Sequence, residues 1–179
     1  TDAVYSSTGR YDMVTIVSGD RSHPLETTVQ NRLYAMRDLH VARLVDGDPL
    51  DPSDDDGLAD GYTAVRGQTA AMAGDLFDVT TVNDPSGVDL ASLQTAKGFQ
   101  LRLTGSGEKG LAPPIVLAGT VYFTTYLPNG VISSTSCSLA EGAGLLYAIN
   151  VLNGAAVFNW DGIGSTVSLA ASDRTYTLG

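Results

Sequence analysis

The sequence predicts a mainly β fold, built from small antiparallel sheets with one loop-rich insertion. Residues 98–154 carry the first observation: short runs of Val, Ile, Leu, Tyr, Phe and Thr, punctuated by Gly, Pro and Asn. That pattern marks consecutive antiparallel strands. The second observation is two-sidedness. Val121, Phe123 and Thr125 point one way from a strand; Tyr122, Thr124 and Tyr126 point the other. Both sets need cover, so the sheet is expected between other sheets rather than with one face in water. The third is an internal repeat. DMVTIVSGDR, a loop and RLYAMRDL match GTVYFTTYLP, a loop and LLYAINVLNG. Leu33-Tyr34-Ala35 and Leu146-Tyr147-Ala148 fall at the same place in the two units. Repeated four-stranded sheets are the blades of a β-propeller; two chance hairpins in a sandwich are the alternative.

Taken in order, residues 5–7 read as a short extended segment closed by a turn at 8–10. Residues 12–18 (DMVTIVS) alternate and are β-branched, which predicts a strand. A polar loop with a Pro stop follows at 19–24. Residues 28–38 contain NRLYAMRD, whose alternation suits a strand although Leu, Ala and Met would allow a helix. Its position after a strand and loop favours a hairpin, extended by 40–45. Residues 46–61 hold two Pro, three Gly and seven Asp, which leaves nothing to build a core with. Residues 65–78 are the best helical candidate, weakened by Gly67 and Gly74. Residues 79–82 are short and β-branched. Residues 86–97 predict a helical turn capped by Ser86 or Asp89. After the central series, 155–160 and 166–170 read as short strands, and 176–179 as a strand running off the end.

These elements predict a first blade from 1–45 and 98–104 with the insertion 46–97. A second spans 112–160, turning at Asn153-Gly154 into its outer strand AAVFNW. Residues 161–179 would start a third. Each blade buries its faces only against neighbours, so two blades are expected to be part of a larger propeller or to be completed by other copies.

Composition narrows the partners. Ten basic residues stand against 20 acidic ones. A nucleic-acid partner would need a basic footprint, and anionic lipid would need the same. No apolar run approaches the roughly 20 residues of a membrane-spanning helix. The opening TDAVYSSTGRYD lacks a basic start and an apolar stretch, so any signal peptide is expected on a precursor. The lone Cys137 excludes an internal disulfide and a Cys-based zinc cluster; it is either a small buried side chain or a residue whose partner lies elsewhere.

The order VTIVSGDRSHPL, VQNRLYAMRD, DLFDVT, GFQLRLTGSGEKGLAPPIVLAGTVYFTTYLPNG, CSLAEGAGLLYAINVLNG and DRTYTLG resembles the C-terminal β-propeller of the PilY family. Those are type IV pilus assembly and tip-associated adhesin proteins. The resemblance runs from residue 12 to 179 and is weakest over 46–65. It implies part of a modified quinoprotein-like propeller, displayed at the pilus tip or outer surface. It also implies a role in pilus biogenesis and surface attachment, with pilus minor subunits and a host or abiotic surface as partners.

Candidate chemistry is sparse. Residues 54–60 (DDDGLAD) have the D-x-D-G-x-x-D core of an EF-hand-like loop, with Asp54, Asp56 and Asp60 as calcium ligands. Carboxylates at alternate positions wrap a hard cation, and Gly permits the sharp turn. Pro52 stands where a further oxygen ligand is needed, and a solvated acidic loop is the alternative. His23 and His40 are the only histidines; adjacent Ser22 and His23 diverge and form no nucleophile–base pair. Gly105 to Gly110 (GSGEKG) lacks the spacing of a phosphate loop and reads as a turn, with Glu108 and Lys109 exposed. Trp160 is the single Trp, so the Trp-rich docking of a quinone enzyme is missing. No enzymatic activity is expected. The loops at 126–137 and 46–62 are the expected contact surfaces, while Tyr122, Phe123, Tyr147 and Phe158 are expected in the core.

Overall fold

The computed structural model describes residues 11–38, 74–85, 87–128, 142–160, 162 and 169–178. The expected segments at 5–7, 40–45 and 46–61, and most of 166–170, lie outside them. So do Asp54, Asp56, Asp60 and Cys137. The described residues are mainly β and form two sheets.

In the first sheet, β1 (Asp12–Val17) pairs antiparallel with β2 (Arg32–Asp38), with Ile16 opposite Tyr34. The alternating, β-branched DMVTIV suits a pleated surface. A short strand β3 (Phe77–Asp78) and the helix α1 (Gly87–Thr95) precede β4 (Gly98–Arg102). β4 pairs antiparallel with β2 and parallel with β3, giving the order β1-β2-β4-β3. GFQLR therefore lies beside RLYAMRD, although more than 50 residues separate them. Gly98 is demanded by this pairing. Its φ is +138° and a Cβ there would collide with the Ala35 carbonyl oxygen.

The helix expected over 65–78 is corrected where it is described. Phe77 and Asp78 are extended, while the helical turn expected separately over 86–97 is present as α1, Gly87–Thr95. Phe77 gains a place beside Phe99, and the Val79 N–H donates to the Gln100 carbonyl. These ladder contacts hold Phe77 and Asp78 extended. Leu93 of α1 is fully buried in the core, and Asp89 sits in the first turn, where a carboxylate suits the helix dipole.

The second sheet begins with two short strands, β5 (Lys109–Gly110) and β6 (Ile115–Leu117). Both pair with β7 (Thr120–Leu127), which pairs with β8 (Ala143–Asn150), and β8 pairs with β9 (Thr175–Leu178). Ala118 and Gly119, with φ of 49° and 79°, make the two-residue turn between β6 and β7. Two left-handed residues match the twist of a hairpin.

Two expectations at the end of the chain change. Residues 155–160 are not a full outer strand; only Ala156 bridges β8, at Ile149. β9 takes the rest of that edge, with Thr175 opposite Tyr147, so the terminal strand joins the second sheet instead of opening a third. Displaced from the edge, Phe158 and Trp160 lay their rings across the sheet, 4.9 Å apart, reaching Tyr122 and Tyr176.

The two sheets share one core. Leu33, Ala35, Phe99 and Leu101 come from the first sheet; Val121, Phe123, Tyr147 and Ile149 come from the second. Within each strand these alternate with outward residues, as two stacked faces require. Phe123 and Tyr147 stack at 4.5 Å. Tyr122 is only half-buried and Phe158 is exposed, so both leave the core expected for them.

Candidate functional site

The chain crosses from the first sheet to the second through residues 103–108, and Glu108 and Lys109 stand at that corner. The expectation that they are exposed is overturned: Glu108 is 2% and Lys109 1% accessible. A buried charge must be hydrogen-bonded to persist, and both are.

The Glu108 carboxylate is ringed by donors from both sides of the corner. Its Oε1 accepts from the Thr125 hydroxyl and the Tyr147 phenol, each at 2.7 Å, and its Oε2 accepts from the Gly105 N–H at 3.0 Å. Alternation along β7 and β8 aims Thr125 and Tyr147 inward at this point. The Glu108 carbonyl accepts from Asn31 Nδ2 at 2.9 Å. Asn31 Oδ1 in turn accepts from Ser18 Oγ, so the end of β1 is bound into the same network. Lys109 turns the other way. Its Nζ donates to the carbonyls of His23 and Glu26 at 2.9 and 2.8 Å, fastening the loop between β1 and β2.

Arg174 is buried as well, beside the buried Asp173. It lies at the end of a 3-10 turn over Ala171–Arg174. Its Nε donates to the Gly154 carbonyl at 2.7 Å, Nη1 to Thr80 and Nη2 to Val82. One planar fork thereby ties the β8 turn to the segment after β3.

Electrostatics follow from burial. Removal from water pushes the Tyr147 phenol well above the ordinary tyrosine range, and the Glu108 charge adds to it. Burial lowers the Arg174 guanidinium to about 10, partly opposed by Tyr147. Tyr147 therefore stays a hydrogen-bond donor and Arg174 a cation at neutral pH.

A cavity of about 400 Å³ opens beside this network, with Thr80, Arg102, Thr104, Leu127, Leu145 and Ser172 on its walls. Glu108, Tyr147 and Arg174 also reach it, but their polar atoms are engaged within the protein. Arg102 Nε lies 3.0 Å from Asp78 Oδ2, and the Thr80 hydroxyl accepts from the Arg102 N–H. Among the described residues, these contacts hold the segments together.

On the surface, His23 Nδ1 lies 2.7 Å from Asp20 Oδ2, and Ser22 donates its backbone N–H to the same carboxylate. The His23 hydrogen bond, then that of Ser22, lowers the Asp20 carboxyl below its ordinary value. His23 thus pairs with Asp20 in an exposed turn. Among the described residues no group of three or more His, Cys, Asp or Glu gathers as a metal site, and Asp54, Asp56 and Asp60 lie outside them. Also among the described residues, no helix is long and apolar enough to cross a membrane.

The residues that sequence reasoning missed are Glu108, Lys109 and Arg174. The one signal for Glu108 was Tyr147: a tyrosine on the inward face of a central strand needs an acceptor for its hydroxyl. Comparison with protein-family models finds no match, and searches of curated proteins and of solved structures find none either.

Proposed function

We propose that this chain is a structural and adhesive module of a type IV pilus tip or pilus-assembly protein. In this reading its sheets are blades of a modified propeller that supports pilus biogenesis and surface attachment. The observation that carries the structural part is the corner at Glu108. Glu108, Lys109 and Arg174, all buried, spend their hydrogen bonds on fixing one sheet against the next. The adhesive part rests on the ordered motifs from VTIVSGDRSHPL to DRTYTLG and their resemblance to the PilY family. Calcium enters only through Asp54, Asp56 and Asp60; a calorimetric titration without heat at about millimolar calcium, the weak end of extracellular sites, removes it.

Replacing the encoded segment with an inert linker in the organism that carries it tests the reading. Loss of piliation or of surface attachment is expected; unchanged piliation and attachment refute it. A redox-dye assay with added quinone separates the module from a quinoprotein-like enzyme, and no turnover is expected. A second reading, a subunit completed by neighbouring copies, is favoured by exposed apolar side chains on the outer faces of both sheets.

A further inference from the structure

We propose that the free edge of β1 is a docking site for an extended peptide of another protein, which adds as an antiparallel strand and sets a carboxylate against Arg21. The proposal stands apart from the pilus reading.

β1 is the terminal strand of the first sheet, and among the described residues no strand pairs with its far edge. Side chains on the outer face grow more exposed toward that edge. Ile16, Tyr34 and Gln100 form one row across three strands. Gln100 is 1% accessible, Tyr34 is half-buried and Ile16 is 51% exposed. In the next row Gly98 is buried, Met36 is half-buried and Val14 is 42% exposed. The face is closed at β4 and open only at β1. Val14 and Ile16 lack a lateral neighbour, and the side chains of one further strand would supply it.

The backbone points to the same occupant. The Arg37 N–H donates to the Lys97 carbonyl, and the Ser18 N–H to the Arg32 carbonyl. Even-numbered residues of β2 therefore bond toward β1. Val14 and Ile16 spend their backbone groups on β2, and those of Met13 and Thr15 point out of the sheet. Edge strands are usually blunted by Lys, Pro or a bulge; DMVTIV carries no Lys or Pro, and its register with β2 is unbroken. The chain itself makes one contact on this side, where the Gly110 N–H donates to the Ser18 carbonyl at 3.0 Å. It does not continue. Pro113 and Pro114 have no N–H to give, and they share a cavity of about 300 Å³ with Thr15, Ile16 and Val17.

Arg21 supplies the charge. It lines the same cavity and donates to the Leu111 carbonyl. Among the described residues no carboxylate pairs with it, although acidic residues outnumber basic ones 20 to 10. Arg21 follows the C-terminal end of β1, so the matching carboxylate belongs near the N-terminal end of an antiparallel occupant. Main-chain bonds then give affinity, and alternate apolar side chains beside Val14 and Ile16 give selectivity.

The test titrates the full chain into a dye-labelled peptide, Glu-Val-Thr-Val-Thr-Val with blocked ends, followed by fluorescence anisotropy. Saturable binding below about 1 mM is expected. Arg21→Gln, or Gln for Glu in the peptide, is expected to weaken it about two- to fivefold, the size of an exposed ion pair, and the two changes together no further. Thr15→Pro removes an outward donor and leaves the β1–β2 bonds in place; a loss of about tenfold is expected, that of one hydrogen bond. Circular dichroism checks that this variant is folded. If it is not, the peptide N-methylated at the amides facing β1 decides instead, and it is expected not to bind. Absence of binding at about 1 mM overturns the proposal. So does a Thr15→Pro chain or an N-methylated peptide that binds as the parent does, or an Arg21→Gln chain that holds the Glu peptide unchanged. Sedimentation showing dimers of the unaltered chain that Thr15→Pro abolishes would assign the edge to a second copy and overturn it too. None of these results touches the pilus reading, which is judged by piliation and attachment.

Discussion

Tyr147→Phe is the sharpest probe of the buried corner. The substitution keeps the ring stacked on Phe123 and deletes one hydroxyl, which donates to Glu108 Oε1 at 2.7 Å. A hydrogen bond to a charged group contributes about 1.5–3 kcal/mol. Glu108 retains Thr125 and the Gly105 N–H, so its charge stays partly satisfied and the expected loss is about 2 kcal/mol. Glu108→Ala removes the acceptor from three donors at once, the Thr125 hydroxyl, the Tyr147 phenol and the Gly105 N–H. Leaving buried donors unpaired costs about 1–3 kcal/mol each. Removing a desolvated charge offsets part of this, so a loss of about 3–5 kcal/mol is expected, the range for breaking a buried polar network. The two effects must not add. Once Glu108 is gone the Tyr147 hydroxyl has no anion to serve, and the second substitution costs little. Urea denaturation followed by Trp160 fluorescence gives all four corners of the cycle. A Tyr147→Phe protein within about 0.5 kcal/mol of the unaltered chain, the range of neutral surface changes, refutes the role of the network. So does strict additivity.

Further outcomes follow from the same geometry. The folded-state pKa of Tyr147 is raised, so its contribution is fully present below the unfolded value of about 10 and is lost as pH climbs above it. The stability gap between the unaltered chain and Tyr147→Phe should therefore shrink above about pH 10; ultraviolet absorbance should show one phenol resisting ionisation until the chain unfolds. Arg174→Lys replaces a fork that reaches three carbonyls by a single ammonium. A loss of about 2–4 kcal/mol is expected by denaturation, from one or two unpaired buried carbonyls. Gly98→Ala forces a methyl group onto the Ala35 carbonyl at a left-handed φ. It should lower stability by more than about 3 kcal/mol, a size reserved for strain at special backbone positions; hydrogen exchange should show β4 losing protection first.

Much of the strand layout was legible because it is written in local alternation. Asp12–Val17, Arg32–Asp38 and Thr120–Leu127 read as strands, and the Asn153-Gly154 turn is present, with Gly154 at φ +69°. The corner was not legible because its partners are remote. Gly105 to Gly110 looks locally like a charged, Gly-flanked turn. Thr125 and Tyr147 reach Glu108 from 17 and 39 residues away, and Lys109 reaches the His23 carbonyl across 86. Arg174 spans more than 90 residues to its Thr80 and Val82 acceptors. The outer strand of the second sheet was misread for a related reason. AAVFNW has good strand composition, but propensity cannot tell which of two segments wins an edge. Thr175–Leu178 pairs with β8 over four residues, while Ala156 makes one bridge and the rings of Phe158 and Trp160 lie on the sheet face.

The Leu-Tyr-Ala triplets explain why two-faced strands were needed at all. In a sandwich made of two equivalent buried faces, the outer face of each sheet is free to be polar. Here the face turned inward by one copy of the motif is turned outward by the other. Val14 and Ile16 remain apolar at half exposure, at positions where the second sheet has fully buried Val121 and Phe123. Tyr176, opposite Leu146, is 48% exposed. Apolar surface kept exposed at equivalent positions on opposite sides of one chain is costly in water, about 25 cal/mol for each Å² left uncovered. On the second sheet part of that cost is relieved within the chain, where the rings of Phe158 and Trp160 lie against Tyr122 and Tyr176.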